Sequence, residues 1–301
     1  MPGFTIALRL SFNSVAAMVV IAALTLPTKS LASSNAPTIA ALDSRIVETL
    51  IAMELPPVAF TYPGSQYYLS NSSLSGSTNL GLASQPNLEL LNQFSPQQIL
   101  ISPYLTQISA QLSSIAKVVS LTPYGSETST GRWRQLTSFT RKLGKHIGDE
   151  RASERLIHET KHRFQSLHDR IPRDQPPLLI ISFIDHRHAR VFGNNSMFQG
   201  ALEQLELTNA WQGQNNHLGF TTASIDALID IDARLIILES PYANSPVHEQ
   251  FFAEGIWGYM RSLQRGDEIY LPATFSHFGA LPSALVFSEA LVEALEAQMG
   301  L

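Results

Sequence analysis

The sequence predicts an α/β protein of two lobes joined by one long helix. From residue 38 to about 124, short apolar stretches of strand length alternate with amphipathic stretches of helical period. A highly charged stretch follows at 132–170, with apolar residues at helical spacing and prolines at its end. A continuous apolar run at 178–184 then begins a second α/β series. These observations divide the chain into a first lobe at 38–131, a linking helix at 132–171 and a second lobe at 176–301.

The first lobe begins as a strand, helix and strand unit. Its predicted strands lie at 38–42 and 57–62, and the helix between them lies at 45–53. The stretch 64–78 is rich in Ser, Asn and Gly and predicts a loop. The remaining predicted elements are a helix at 87–93, a strand at 98–102, a helix at 108–116 and a strand at 118–121. Ligands of open α/β sheets bind beyond the carboxyl ends of strands, so the loops that follow these strands are where we expect a site.

The linking segment predicts helix throughout, and Gly148-Asp149 is the place where that helix could break. In the second lobe we expect strands at 178–184, 235–238 and 268–271 and helices at 198–205, 224–229, 247–260 and 282–299.

Residues 1–32 have the pattern of a secretory signal. Arg9 supplies the positive start, 15–26 is apolar, and Ser30-Leu31-Ala32 fits the rule of small residues at a cleavage site. The apolar run is shorter than the about 20 residues that a membrane-spanning helix needs. The chain has no cysteine, which indicates neither a disulfide framework nor a lipid-bearing cysteine after the signal. We therefore expect a free protein of the Gram-negative periplasm.

Composition and motifs exclude several classes of function. The chain has 301 residues, 44% of them hydrophobic and 15% charged, which suffices for well-formed cores. Its formal net charge is −5, and its Lys and Arg form no cluster suited to phosphates, so nucleic acid is not an expected partner. It has no nucleophile elbow, phosphate-binding loop, dinucleotide glycine triplet or zinc-protease helix motif. We therefore expect a protein that is not an enzyme and that uses no cofactor.

Three blocks resemble those of periplasmic hydroxamate-type siderophore-binding proteins, in the same order along the chain. They are QPNLELL at 85–91, VFGNNSMFQ at 191–199 and NAWQG at 209–213. The resemblance implies a class III periplasmic binding protein, whose helical backbone permits only small closure of the lobes. It also implies a monomeric receptor that captures an Fe(III)–siderophore and delivers it to an inner-membrane ABC permease and its ATPase. The siderophore, and not the protein, would hold the iron.

The same resemblance implies where the ligand binds. Tyr104 directly follows the strand predicted at 98–102, and in the family a tyrosine there contacts the iron-bound hydroxamate oxygens. An aromatic wall falls at Tyr67, for which Tyr68 is an equally good candidate, and Trp211 packs beneath the pocket or contacts the ligand. The ligand-binding residues assigned on this basis are Tyr67, Ser84, Tyr104, Trp211, Leu218, Phe275, His277 and Phe278, with no metal ligand and no catalytic residue.

The chain also departs from the family pattern. Ala83 stands where the family has an arginine that hydrogen-bonds the hydroxamate oxygens, and Leu218 stands where it has a tryptophan. Each charge-assisted hydrogen bond lost with the guanidinium is worth about 1.5–3 kcal/mol. The residues that could supply a donor instead are Arg132, Arg134, His217 and His277.

Two other functions stay open. The missing arginine favours a receptor of the same fold for another iron chelate, for haem or for cobalamin. A periplasmic zinc-binding protein or metal-dependent hydrolase would instead use His186 and His188, which follow Asp185 after a predicted strand. The alternative for that segment is a turn held by hydrogen bonds.

Overall fold

The computed structural model describes residues 37–62, 71–124, 131–185, 187–239, 256–272 and 274–298. The predicted secretory signal, Tyr67, Tyr68, His186 and most of the helix predicted at 247–260 lie outside the described residues.

The first lobe is built on a five-stranded parallel sheet. Its strands are β1 (Ile39–Ala41), β2 (Ala59–Tyr62), β3 (Thr78–Leu82), β4 (Gln98–Ile101) and β5 (Lys117–Ser120). Its helices are α1 (Ser44–Ala52), α2 (Leu88–Gln93) and α3 (Ser109–Ser113). The strand order is β3-β2-β1-β4-β5, and every pair of neighbours is parallel. Connections leave β1 and β4 in opposite directions across the sheet, which opens a crevice at the carboxyl ends of these two strands.

Two helices, and not one, connect the lobes. The helix predicted over 132–171 divides into α4 (Arg132–Ile147) and α5 (Glu150–His168). Gly148 ends α4 in the left-handed conformation, with φ at 77°, and the Asp149 side chain accepts a hydrogen bond from Ala152 N at 2.9 Å to cap α5. The break lies where the sequence indicated that the helix could end. The two helices pack against each other, with Arg141 of α4 paired to Glu154 of α5.

The second lobe has a mixed five-stranded sheet. Its strands are β6 (Leu178–Phe183), β7 (His188–Phe192), β8 (Phe220–Ser224), β9 (Arg234–Leu238) and β10 (Ile269–Leu271), in the order β10-β9-β6-β7-β8. Its helices are α6 (Met197–Leu205), α7 (Arg261–Arg265) and α8 (Leu281–Gln298). β7 is antiparallel to both of its neighbours, and the other pairs are parallel. The central strand β6 is buried along its whole length, as its continuous apolar run predicts.

Three strands and three helices differ from the sequence prediction. β3, β7 and β8 were not predicted, because each is short and alternates polar with apolar residues instead of forming an apolar run. The helix predicted at 108–116 is the shorter helix α3, which follows the 3₁₀ segment Pro103–Ile108. Helix α7 was not predicted. The helix predicted at 224–229 is the single 3₁₀ turn Ile225–Ala227.

Helix α4 contributes to the cores of both lobes. Phe139 and Leu143 pack with α1 and the first sheet, whereas Leu136 packs in the large cluster formed by α5, α6, α8 and the second sheet. The three residues are spaced i, i+3 and i+7 and so share one face of the helix, whose amino-terminal part packs in the second lobe and whose later part packs in the first. No helix among the described residues is long and apolar enough to cross a membrane.

The first lobe also contacts the segment that begins α8. The buried Glu48 carboxylate of α1 accepts hydrogen bonds from Ala280 N and, at 2.6 Å, from the Ser283 hydroxyl. The Tyr124 hydroxyl donates to the Gly279 carbonyl at 2.8 Å. We call this group the lobe junction; it consists of Glu48, Tyr124, Gly279, Ala280 and Ser283.

Candidate functional site

A cavity of about 380 Å³ lies at the carboxyl edge of the first sheet. Its walls come from segments that follow three different strands: Asp43 and Arg45 after β1, Ala83 and Ser84 after β3, and Tyr104 after β4. We call it the edge cavity. Of the predicted site residues, Ser84 and Tyr104 meet there, as expected from the place of ligand sites in open α/β sheets.

Arg45 is the main charged group of the edge cavity, and sequence reasoning missed it. Asp43 caps α1 by accepting from Arg45 N at 3.0 Å, and the same carboxylate accepts from Arg45 Nε at 2.7 Å and from Nη2. Both side chains are largely buried, with 9% and 7% of their surfaces exposed. The pair is therefore a two-pronged arginine and carboxylate contact in a site shielded from water.

Two tyrosine rings enclose the Arg45 guanidinium. Its central carbon lies 5.5 Å from the ring centre of Tyr104 and 5.6 Å from that of Tyr124, within the range of cation–π attraction. Burial lowers the pKa of Arg45, but the hydrogen bond and charge of Asp43, together with the two tyrosines, raise it above its ordinary value. The guanidinium therefore stays charged throughout the range of physiological pH.

The phenols beside Arg45 stay protonated. Burial raises the pKa of Tyr104, although the charge and hydrogen bonding of Arg45 oppose the rise. Burial also raises the pKa of Tyr124, against the charges of Arg45 and Arg132. At neutral pH the Tyr104 hydroxyl can therefore donate a hydrogen bond to a ligand oxygen.

Tyr104 also contacts the second lobe. Its hydroxyl oxygen lies 2.5 Å from Nε2 of His217, which belongs to the segment between α6 and β8. Tyr104 is half-exposed, His217 is exposed, and the predicted site residue Leu218 beside it is partly buried. The contact places the segment around Leu218 at the mouth of the edge cavity.

Two of the predicted ligand-binding residues lie in the core of the second lobe. Phe275 and His277 are buried, and both pack against the ring of Phe198. Burial, and to a lesser degree the charge of Arg190, lowers the pKa of His277 to about 4, so its ring is neutral at pH 7. Phe278 is partly exposed and packs on Phe220, with the ring centres 5.4 Å apart. A ligand contact by these residues stays a prediction.

Trp211 is also part of the packing of the second lobe. Its ring is partly buried and lies against the core cluster on one face of the second sheet. A Cβ atom on Gly213 would lie 2.4 Å from this ring, so the NAWQG block needs its glycine to accommodate the tryptophan. Asn209 fixes the turn by accepting from Trp211 N at 3.0 Å.

The arginines that were considered as substitutes for the family cation lie elsewhere. Arg132 is buried with its guanidinium 5.5 Å from the ring centre of Tyr124, but it does not line the edge cavity. Its backbone amide and that of Trp133 donate to the Glu203 carboxylate, at 3.0 and 2.9 Å, which caps α4. Arg134 is exposed on α4. Both arginines are therefore accounted for as residues of α4, without a contact to the edge cavity.

Asp185 holds a turn between β6 and β7. Its carboxylate accepts from the backbone amides of Arg187 and His188, at 2.7 and 2.8 Å, and contacts His188 Nδ1 at 3.0 Å. The first of these hydrogen bonds contributes most to lowering the pKa of Asp185. Among the described residues, no group of three or more His, Cys, Asp or Glu side chains could hold a metal ion.

One sequence signal could have identified Arg45. It is a cation in the first turn of α1, the end of a helix at which positive charge is unfavourable. Asp43 stands two residues before it, at the cap, directly after a buried strand. A cation at this position is unfavourable for the helix dipole. Its presence, next to a counter-ion at the carboxyl end of a strand, indicates that the arginine serves a purpose other than helix stability.

Comparison with known proteins matches most of the chain to one family. The family model described as periplasmic binding protein matches residues 39–274. The iron(3+)-hydroxamate-binding protein FhuD of Escherichia coli K12 is 31% identical over 268 residues, which cover 85% of this chain and 86% of that protein.

Solved structures share the fold. The siderophore-binding protein FhuD of Vibrio cholerae, bound to Fe³⁺–Desferal, superposes with a TM-score of 0.76 at 20% identity, over 87% of this chain and 98% of that one. FeuA of Bacillus subtilis, a triscatecholate siderophore-binding protein complexed with ferri-bacillibactin, gives a TM-score of 0.67 at 14% identity, over 87% and 93%.

Proposed function

Because the chain belongs to the periplasmic binding protein family, we propose that it is a receptor that binds a ferric siderophore of the hydroxamate type. It would carry the chelate through the periplasm as a monomer and deliver it to an inner-membrane ABC permease with its ATPase. The ferric siderophore is cargo and not a cofactor, and the protein catalyses no reaction.

The edge cavity is the observation that carries this proposal. It lies at the switch point of a parallel sheet and combines a charged guanidinium with a protonated phenol and the Ser84 hydroxyl. All three groups donate hydrogen bonds, and the oxygens that surround the iron in a ferric hydroxamate accept them. Donors directed at one place in a crevice are what such a chelate needs.

The other predicted contacts would complete the site from the second lobe. Leu218 lies beside His217, which contacts Tyr104, and Phe278 is partly exposed in the same lobe. Apolar and aromatic side chains would cover the carbon chains that link the hydroxamates. Tyr67, which lies outside the described residues, follows β2, the strand between β1 and β3.

A fluorescence-quenching titration tests the proposal. Protein purified from cells that export it is titrated with ferrioxamine and ferrichrome, and separately with ferric citrate and haem. We expect saturable quenching by a hydroxamate, and we expect Tyr104→Ala to weaken it about tenfold, the effect of losing about 1.4 kcal/mol. Tyr259→Ala, which removes an exposed tyrosine that does not line the edge cavity, is the matched control and should bind normally.

The other outcomes separate the alternatives. Binding of ferric citrate or haem, with no response to either hydroxamate, would assign another chelate to this receptor. Stoichiometric zinc in the purified protein, with no binding of any iron complex, would favour the metal-binding class.

A further inference from the structure

We propose that Arg45 supplies the charged donor that binds the oxygens of the ferric chelate, and that Asp43 is the positioning residue that holds its guanidinium. This inference rests on the proposed function, and it assigns to this chain's own residues how the edge cavity recognises its ligand.

The placement of Arg45 is costly for the fold alone. Its side chain is 9% exposed, and it stands in the first turn of α1, where the helix dipole disfavours a cation. Leucine or methionine would fill the same space without burying a charge. The Asp43 contact and the two tyrosine rings offset the cost, so three residues are used to keep one cation at this place.

The guanidinium of Arg45 is held by Asp43 and also belongs to the wall of the edge cavity. Nε and Nη2 donate to Asp43. Among the described residues, no carboxylate accepts a hydrogen bond from Nη1 of Arg45. The same side chain lines the edge cavity, and so does Ala83, whose side chain is only a methyl group. A ligand oxygen in this cavity would meet the guanidinium of Arg45 and the hydroxyl of Tyr104 together.

The pairing also indicates the charge of the ligand. Asp43 and Arg45 together carry no net charge, so the cavity offers directed donors without a strong positive field. A neutral or cationic chelate with exposed anionic oxygens fits this arrangement better than a polyanionic chelate such as ferric citrate. Asp43 therefore sets selectivity as well as orientation.

Affinity for ferrioxamine, measured by titration of the exported protein, tests the role of Arg45. We expect Arg45→Met to weaken binding at least tenfold. We expect Arg45→Lys to fall between, because a lysine keeps the charge but loses the two-pronged contact. Arg132→Met is the matched control: Arg132 is also a buried arginine stacked on Tyr124 but does not line the edge cavity, so its loss should change affinity less than threefold.

Two further variants separate binding from folding. Arg45→Met combined with Ala83→Arg returns a guanidinium to the edge cavity from another lining residue, and we expect it to regain part of the lost affinity. Asp43→Asn leaves the Arg45 charge without its counter-ion, so we expect binding of ferric citrate to improve relative to ferrioxamine. If Arg45 only supported the fold, the double variant would not regain affinity for ferrioxamine. Asp43→Asn would also not change the ratio of ferric citrate affinity to ferrioxamine affinity.

The outcomes distinguish this inference from the proposed function. Unaltered protein that binds ferrioxamine, with Arg45→Met no weaker than Arg132→Met, would overturn the role of Arg45 and leave the receptor function in place. Unaltered protein that binds no ferric hydroxamate would overturn both. An Arg45→Met chain that does not fold leaves the Arg45→Lys titration and the Asp43→Asn selectivity ratio as the deciding measurements.

Discussion

Two buried ionisable residues have pKa shifts of opposite direction in the same pH range. Burial raises the pKa of Glu48 from 4.5 to about 7, against the hydrogen bonds of Ser283 and Ala280. Burial lowers the pKa of His277 from 6.5 to about 4. Both shifts favour the neutral form of the side chain, so one residue stabilises the folded protein at low pH and the other at high pH.

Replacement of His277 should change the acid side of the stability curve. The folded-state pKa is below the ordinary value, so the contribution of His277 is present above about pH 6.5 and is lost as the pH falls toward 4. A shift of this size corresponds to about 3 kcal/mol at most. Relative to the unaltered chain, His277→Phe should therefore gain stability as the pH falls, measured as the free energy of unfolding in urea between pH 4 and 7.

The exposed His146 provides the control for that measurement. We expect His146→Gln to keep the pH dependence of the unaltered chain. The same pH dependence in His277→Phe would show that His277 makes no such contribution.

Only part of the candidate site was accessible to sequence reasoning. Tyr104 could be placed because it follows the strand predicted at 98–102, whereas Ser84 was assigned from the family resemblance alone, since the strand before it was not predicted. Arg45 was missed: the sequence shows a cation beside Asp43 at the start of a helix, but only the fold brings Tyr104 to its guanidinium. Phe275 was predicted at the ligand, and its burial against Phe198, a residue far from it in sequence, could not be foreseen; its ligand contact stays a prediction.

At the scale of secondary structure elements, the junction of α4 and α5 depends on two glycines. Gly148 adopts a φ of 77°, with open space around its missing side chain. Gly144 has helical geometry, but a Cβ atom there would lie 2.3 Å from the Ser153 hydroxyl oxygen and 3.0 Å from the Asp149 carbonyl oxygen. The first glycine ends a helix, and the second lets α5 approach α4 closely.

Gly144→Ala should destabilise the protein by overpacking the contact between α4 and α5. The cost of an added methyl group in a tightly packed interior is about 1–3 kcal/mol, partly offset here by the better helix propensity of alanine. Urea denaturation measures it as a lower transition midpoint. Gly76→Ala is the control, since its Cβ would meet nothing within 4 Å, and it should shift stability by less than about 0.5 kcal/mol. Equal midpoints for the two variants would contradict the close packing of α4 on α5.

The strands that sequence reasoning missed share a physical cause. β3 and β8 are edge strands with exposed positions, so their side chains carry little hydrophobic signal. β7 is an interior strand, but its polar residues His188 and Arg190 alternate with apolar ones over only five residues. The strands β4, β6 and β9 were predicted nearly to their ends because burial on both faces demands a continuous apolar run.

At the scale of the whole molecule, the two lobes share structural elements and do not merely lie side by side. Helix α4 packs in both cores, and the lobe junction ties α1 to the start of α8. The edge cavity lies beside this junction, since Arg45 and Glu48 occupy the same helix and Tyr124 contacts both Arg45 and Gly279. A perturbation of the junction should therefore reach the cavity as well as the relation between the lobes.

Replacement of Glu48 tests this coupling and the sign of its pH dependence together. Because the pKa of Glu48 in the folded protein is above its ordinary value, its stabilising contribution is complete below about pH 4.5 and is lost as the pH rises through about 7. Glu48→Gln keeps the shape of the side chain, so the unfolding free energy should lose this decline between pH 4.5 and 7. In the unaltered chain the contributions of Glu48 and His277 to stability change in opposite directions with pH and partly cancel. Replacing either residue should therefore reveal the pH dependence of the one that remains.

Glu48→Ala should have a larger effect, because it leaves the Ala280 amide and the Ser283 hydroxyl buried without their acceptor. Each unsatisfied buried group costs about 1–3 kcal/mol. If the lobe junction couples the lobes, urea unfolding of this variant should separate into two transitions, whereas Glu48→Gln should retain one. A single sharp transition in Glu48→Ala would mean that α4, through its place in both cores, holds the lobes together without the junction.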